Sequence, residues 1–202
     1  MERKYTNPIK LQPLEDNKTI VTGDGLFQLF LSRQSDRAYH SRPVEQALIE
    51  RCIEAARLAP SASNAQPWKF IVVNDPDLKN RVADATTDRI LPVNHFTRQA
   101  PVIVVIVREP TKIYTFLGSK IKSRDFPLMD IAIAAEHFCL QAEAEGLGTC
   151  MMGWFNERKV KKLLGVPRRK RIGLIITLGY PAGEKREKRR KSREEILSYN
   201  RY

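Results

Sequence analysis

The sequence predicts an α+β fold in which one sheet is covered by helices. Residues 101–108 and 172–180 are apolar runs of strand length rich in Val and Ile, and residues 68–73 form a third such run. The segments between them repeat their apolar residues at helical spacing. No internal repeat or low-complexity linker interrupts the 202 residues. A chain of that length supports one sizeable core. We therefore expect an N-terminal arm over residues 1–25 and a single domain over residues 26–202.

Each element has its own reason. The arm has mixed polarity and ends in the turn formers Thr22-Gly23-Asp24-Gly25. Residues 27–31 are apolar and helical in pattern. Residues 43–58 place Val44, Ala47, Leu48, Cys52, Ala55 and Ala56 on a helical stripe, with Pro43 suited to the first turn. Asp75-Pro76 opens a helix that runs to about residue 85. Residues 88–98, interrupted by Pro92, fit no single pattern. The strand over 101–108 is apolar on both faces and is expected at the centre of the sheet. Residues 128–145 are apolar or small nearly all round, which marks a core helix or an obligate interface. Asn156 caps a helix through residue 164. Ser192-Arg193-Glu194-Glu195 is a capping box that starts a short terminal helix.

Composition narrows the function classes. The chain is 42% hydrophobic, and no apolar run approaches the ~20 residues of a membrane span. The N-terminus carries no apolar leader pattern. Cys52, Cys139 and Cys150 are odd in number and far apart, which argues against a disulfide framework or a zinc site, and the cytoplasm is expected. His40, His95 and His137 have no metal-ligand spacing. The net charge of +12 is concentrated in residues 168–171 and 185–193. It reads as solvated surface or a small-anion site, because no nucleic-acid module accompanies it.

Three segments carry chemistry. Ala59-Pro60-Ser61-Ala62-Ser63-Asn64-Ala65-Gln66-Pro67-Trp68 joins a helix to a strand. Its small hydroxyl side chains let a flat ligand approach, its amides donate and accept hydrogen bonds, and its prolines stiffen the loop. In Ser32-Arg33-Gln34-Ser35-Asp36-Arg37-Ala38-Tyr39, the Arg33 guanidinium and the Ser35 hydroxyl can hold a phosphate; the same residues also read as a basic surface turn. The third is Gly146-Leu147-Gly148-Thr149-Cys150-Met151-Met152-Gly153-Trp154. Its Gly-x-Gly follows a helix and has Met151 at the third-glycine position, so it is not a dinucleotide fingerprint.

Together, and in this order, these segments resemble the FMN-dependent nitroreductase family, from about residue 27 to the C-terminus. The resemblance implies a mixed, mainly antiparallel sheet covered by helices, with a C-terminal extension wrapping the partner of a homodimer. It implies an FMN site made of Arg33 and Ser35 at the phosphate, Arg37 at the pyrimidine edge, and Pro60, Ser61, Ser63 and Asn64 from the other subunit. Met152, Gly153 and Trp154 would lie along the flavin N5 edge. Met152 and Trp154 read equally as core filler, and Gly153 as a turn residue with positive φ. Gln34 stands where the family often has Arg, His or Tyr. Lys188 and Arg190 match the family's basic pair after the last strand, although Lys191 and Arg193 also align.

The implied activity is hydride transfer from NADH or NADPH through flavin N5 to nitroaromatic, quinone or similar acceptors, in ping-pong order. The cofactor carries that chemistry, so no catalytic side chain and no metal ligand is assigned. The alternatives are another reaction on the same fold (dehalogenation, flavin destruction or dehydrogenation) or a non-catalytic, basic nucleic-acid-binding protein. The loop over residues 89–126 is expected on the substrate side.

Overall fold

The computed structural model describes residues 21–87, 93–110 and 124–202. Much of the expected substrate-side loop therefore lies outside the described residues. The helices are α1 (Gly23–Ser32), α2 (Gln46–Arg57), α3 (Pro76–Asp84), α4 (Phe126–Ala144), α5 (Glu157–Leu163) and α6 (Arg193–Ile196). The strands are β1 (Trp68–Val73), β2 (Val102–Arg108), β3 (Gly148–Met152) and β4 (Arg171–Gly179).

The sheet has the order β1-β2-β4-β3, and every pairing within it is antiparallel. The one parallel pairing among the described residues is the isolated bridge of Ser35 to Thr149 on the β3 edge. β2 is central and buried along its length because helices cover both faces. Alternate side chains point to opposite faces. Val102, Val104 and Ile106 therefore join α2 and α4 in one core, while Ile103, Val105 and Val107 join α3 and α5 in the other. A bulge in β4 falls at Gly173. A Cβ on Gly173 would sit 2.9 Å from Ile131 Cδ1, so this glycine lets α4 press onto the sheet.

Several boundaries differ from the sequence reading. The turn formers at residues 22–25 are the cap and first turn of α1: the Thr22 hydroxyl accepts the Gly25 N–H at 3.0 Å. α1 thus runs across the 25/26 boundary. α2 starts at Gln46 with Glu45 as its N-cap, which leaves Pro43 outside. β3 is a strand that the sequence reading did not assign. Its residues return antiparallel to β4, with Thr149 opposite Leu178. Asn156 caps α5 by accepting the Lys159 N–H, and the Ser192–Glu195 capping box is formed.

α4 resolves the question posed by its composition. Ile131, Ala134, Ala135, Phe138, Cys139 and Ala142 are buried in the core, while Leu128, Met129 and Ile133 are exposed. α1 lies beside it with no buried residue and with Leu26, Phe27, Phe30 and Leu31 exposed. One chain leaves an apolar surface on these two helices. Among the described residues, no helix is long and apolar enough to cross a membrane.

Candidate flavin site and family

The Arg33–Arg37 segment follows α1 and runs along the edge of β3. The Asp36 N–H donates to the Thr149 carbonyl at 2.8 Å, next to the Ser35–Thr149 bridge. Two motifs far apart in sequence thus lie side by side. The chain after β4 returns past the same segment: Tyr39 bridges Pro181, and the Ala182 N–H donates to the Ala38 carbonyl at 2.9 Å.

The basic tail then docks on the segment through main-chain groups. Lys185 Nζ donates to the Ser32 carbonyl at 3.0 Å, Arg186 Nη2 to the Ser35 carbonyl at 2.5 Å, and Lys188 Nζ to the Arg33 carbonyl. The Gln34 amide closes the clasp. Its oxygen accepts the Arg186 N–H at 3.0 Å, and its nitrogen donates to Asp36 Oδ1 at 2.8 Å and to the Glu184 carbonyl at 3.2 Å. Burial, then the neighbouring charges of Arg190 and Arg33, push the Lys188 ammonium pKa down. Lys188 thus sits against the Arg33 main chain with Lys185 and Arg186 on neighbouring carbonyls, and the positive charge of Arg190 is felt there as well. Arg33 also carries a counter-charge, because its guanidinium pairs with Glu136 of α4. Arg37 lies 6.0 Å from the Phe96 ring centroid.

The loop over residues 60–66 is built differently. Ser63, Asn64 and Gln66 all have left-handed φ, at 52°, 50° and 47°. L-residues adopt that region at a cost. The loop is held by Ser61 Oγ, which accepts the Gln66 N–H at 2.9 Å, and by Asp130 Oδ1 of α4, which accepts the Ala62 N–H at 3.0 Å. Pro60, Ser63 and Asn64 are exposed. Asp130 and Glu136 are six residues apart, hence about 240° around α4 and roughly 9 Å along it. The loop and Arg33 therefore hang from different sides of one helix.

At the end of β3, Met152 is buried, and the Thr97 hydroxyl lies 3.9 Å from its sulfur. Trp154 is exposed, and its carbonyl accepts from Asn94 Nδ2 at 2.8 Å. Gly153 has no left-handed φ, and a Cβ built on it meets nothing within 4 Å. The turn reading of Gly153 is thereby corrected: neither its backbone nor its neighbours in this chain demand a glycine. A cleft of about 700 Å³ opens beside Trp154, lined also by Thr87, Phe155, Asn156, Asp84 and Lys159. It is separate from the docked basic tail.

All three cysteines are buried and free. Burial pushes the Cys52 and Cys139 thiols up to about 12 and raises that of Cys150. Among the described residues, no three His, Cys, Asp or Glu side chains are grouped to hold a metal ion.

Sequence reasoning missed Glu136, Asp130 and the docking pair Lys185 and Arg186. A signal for the first two was present: they are carboxylates among the mainly apolar residues 128–140 of that helix.

A four-stranded antiparallel sheet with helices on both faces defines an α+β fold, and a basic tail is docked at one edge of the sheet. Residues 31–180 match the Nitroreductase family. The chain belongs to the nitroreductase family and is an oxidoreductase. It is 30% identical to an NADH dehydrogenase of Thermus thermophilus, over 76% of this chain and 85% of that one. It is 26% identical to an oxygen-insensitive NADPH nitroreductase of Helicobacter pylori, over 85% and 95% of the two chains. An FMN-dependent nitroreductase structure from Clostridium difficile superposes with a TM-score of 0.71 at 25% identity, covering 87% of this chain and 99% of that one.

Proposed function

We propose that the protein is an FMN-dependent NAD(P)H oxidoreductase of the nitroreductase type, acting on nitroaromatic, quinone or similar conjugated acceptors. The observation that carries this reading is the docking of the basic tail, through Lys185, Arg186 and Lys188, on the Arg33–Ser35 main chain beside the β3 edge. A phosphate monoester suits such a basic site, because charge-assisted bonds are the strong ones. The open space over Gly153 suits the close approach of a flat ring to the backbone. The residues present therefore fit FMN.

When bound, FMN supplies hydride acceptance at N5 and its return to the acceptor. The chain supplies the rest. Arg33, Lys188, Arg190 and the Ser35 hydroxyl hold the phosphate end. Arg37 would contribute positive charge toward the pyrimidine edge, which favours the anionic reduced ring, while the Gln34 amide keeps the basic tail in place. The backbone at Gly153, bordered by Met152 and Trp154, meets the N5 edge. Pro60, Ser61, Ser63 and Asn64 come from a second copy of the chain.

The placement of that loop and Arg33 on different sides of α4 supports a homodimer with shared sites. The exposed apolar faces of α1 and α4 support the same reading, with residues 191–202, which stay exposed beyond the docked basic stretch, lying along the partner. The single domain proposed includes all of α1 and so begins at its Thr22 cap rather than at residue 26. Three unpaired thiols suit the cytoplasm.

The absorption spectrum of the purified protein tests the proposal. A non-covalent flavin that chromatographs as FMN after denaturation is the expected result. A colourless protein that shows no binding of added FMN overturns it.

A further inference from the structure

Asp130 is an expensive residue to keep. It lies in the apolar helix α4 and is 4% exposed. Its Oδ1 accepts one hydrogen bond, from the Ala62 N–H at 3.0 Å, while Oδ2 is buried without a partner. A buried carboxylate with an unmatched oxygen loses its hydration for little return. The energetics agree: burial raises the Asp130 pKa, against the opposing effect of the Ala62 hydrogen bond. The partner loop is costly too, with three L-residues in the left-handed region between Ser63 and Gln66. One hydrogen bond joins these two unfavourable features, and stability alone explains neither.

We propose that Asp130 is a positioning residue for the flavin: its carboxylate oxygen holds the loop over residues 60–66 in the conformation that meets the ligand. The proposal rests on the FMN reading above. Asp130 needs no contact with the flavin in this role. It acts through the Ala62 N–H, and Ser61 Oγ secures the other end of the loop by accepting from Gln66. Binding is then stronger because the loop is already ordered, and the cost falls on the apoprotein.

The test compares wild type, Asp130→Ala and Asp130→Asn. The readouts are apoprotein thermal melts, FMN dissociation constants by fluorescence quenching, and rates of flavin reduction per bound flavin. Asp130→Ala is expected to melt at or above wild type without FMN, yet to bind FMN about tenfold or more weakly. Asp130→Asn keeps an acceptor for the Ala62 N–H, so its FMN affinity should return to within about threefold of wild type. Its apoprotein melt should stay at or above wild type.

The proposal is overturned if Asp130→Ala binds FMN as tightly as wild type, or if its apoprotein fails to fold or melts well below wild type. Equal weakening by Ala and Asn also overturns it, since charge rather than the loop bond would then be responsible. A wild-type chain that takes up no FMN removes the functional reading itself, and this proposal with it. That outcome is distinct from a failure at Asp130 alone.

Discussion

The Arg33 guanidinium meets the Glu136 carboxylate side-on, with Nε 3.2 Å from one oxygen and Nη2 2.8 Å from the other. Arg33 is therefore aimed and partly neutralised before any ligand arrives. Arg33→Ala should weaken FMN roughly ten- to a hundredfold, and Arg168→Ala, in the other basic run, should leave affinity within about twofold. Glu136→Gln keeps an acceptor and removes a negative charge beside the phosphate position. It should tighten binding at low salt, with the gain shrinking as salt is added. Fluorescence titration decides. Equal losses for Arg33→Ala and Arg168→Ala would mean that net charge alone attracts the ligand.

Gly153→Val separates ligand contact from folding. The added side chain has open space in the chain itself, and the backbone is not left-handed. The apoprotein melt should stay within about 2 °C of wild type. Flavin affinity or flavin reduction should fall. A lowered melt with normal flavin kinetics would remove Gly153 from the flavin edge.

Gly148→Ala should behave in the opposite way. A Cβ there would lie 2.7 Å from Asp36 Oδ2 and 2.9 Å from Asp36 Cβ. Overpacking of this kind costs about 1–3 kcal/mol, readable as a lower urea midpoint. The Asp36→Ala background should absorb much of that loss, and additive effects would show that the two residues do not collide.

Ile133→Glu places a charge on the apolar face shared by α1 and α4. Sedimentation should show a shift from dimer to monomer, with folded-state circular dichroism kept and FMN affinity reduced. A wild-type monomer with full FMN affinity would rule out shared sites.

The junction of α2 and β4 carries an acid-sensitive tie. The Tyr180 hydroxyl donates to Glu45 Oε2 at 2.5 Å, and Arg42 donates to Oε1 at 2.6 Å. The Tyr180 hydrogen bond first, then bonds from the backbone and Arg42, pull the Glu45 carboxyl from 4.5 down to about 2. The unfolded chain therefore binds the proton more readily. The contribution is full above about pH 4.5 and is lost as pH falls through about 2. Glu45→Gln should flatten the urea midpoint over that window. The effect will be small and salt-sensitive, because the pair is exposed.

Legibility varied with the range of the interaction. β2 announces itself because both of its faces are buried, so every residue from Val102 to Val107 is apolar. α4 announces itself by apolar residues nearly all round, although Leu128, Met129 and Ile133 remain exposed in one chain. β3 does not: α5 separates it in sequence from β4, and the Gly146-Leu147-Gly148 run that opens it carries no strand pattern, Gly148 being explained only by Asp36 standing over it. The Arg33–Arg37 segment and the basic tail were visible as residues, yet their meeting depends on the Tyr39–Pro181 and Ser35–Thr149 bridges. Asp130 and Glu136 were visible as charges in an apolar helix. Their partners lie 68 and 103 residues away, a separation no local pattern encodes.

The sealed thiols have a consequence for the chemistry proposed. Partly reduced nitro compounds and quinones are electrophiles that alkylate thiolates. Cys150 lies two residues before Met152, close to where such products would form, yet burial keeps it and the other two cysteines protonated at neutral pH. An interior of this kind withholds its cysteines from such products, so alkylation at sulfur would not be what ends turnover.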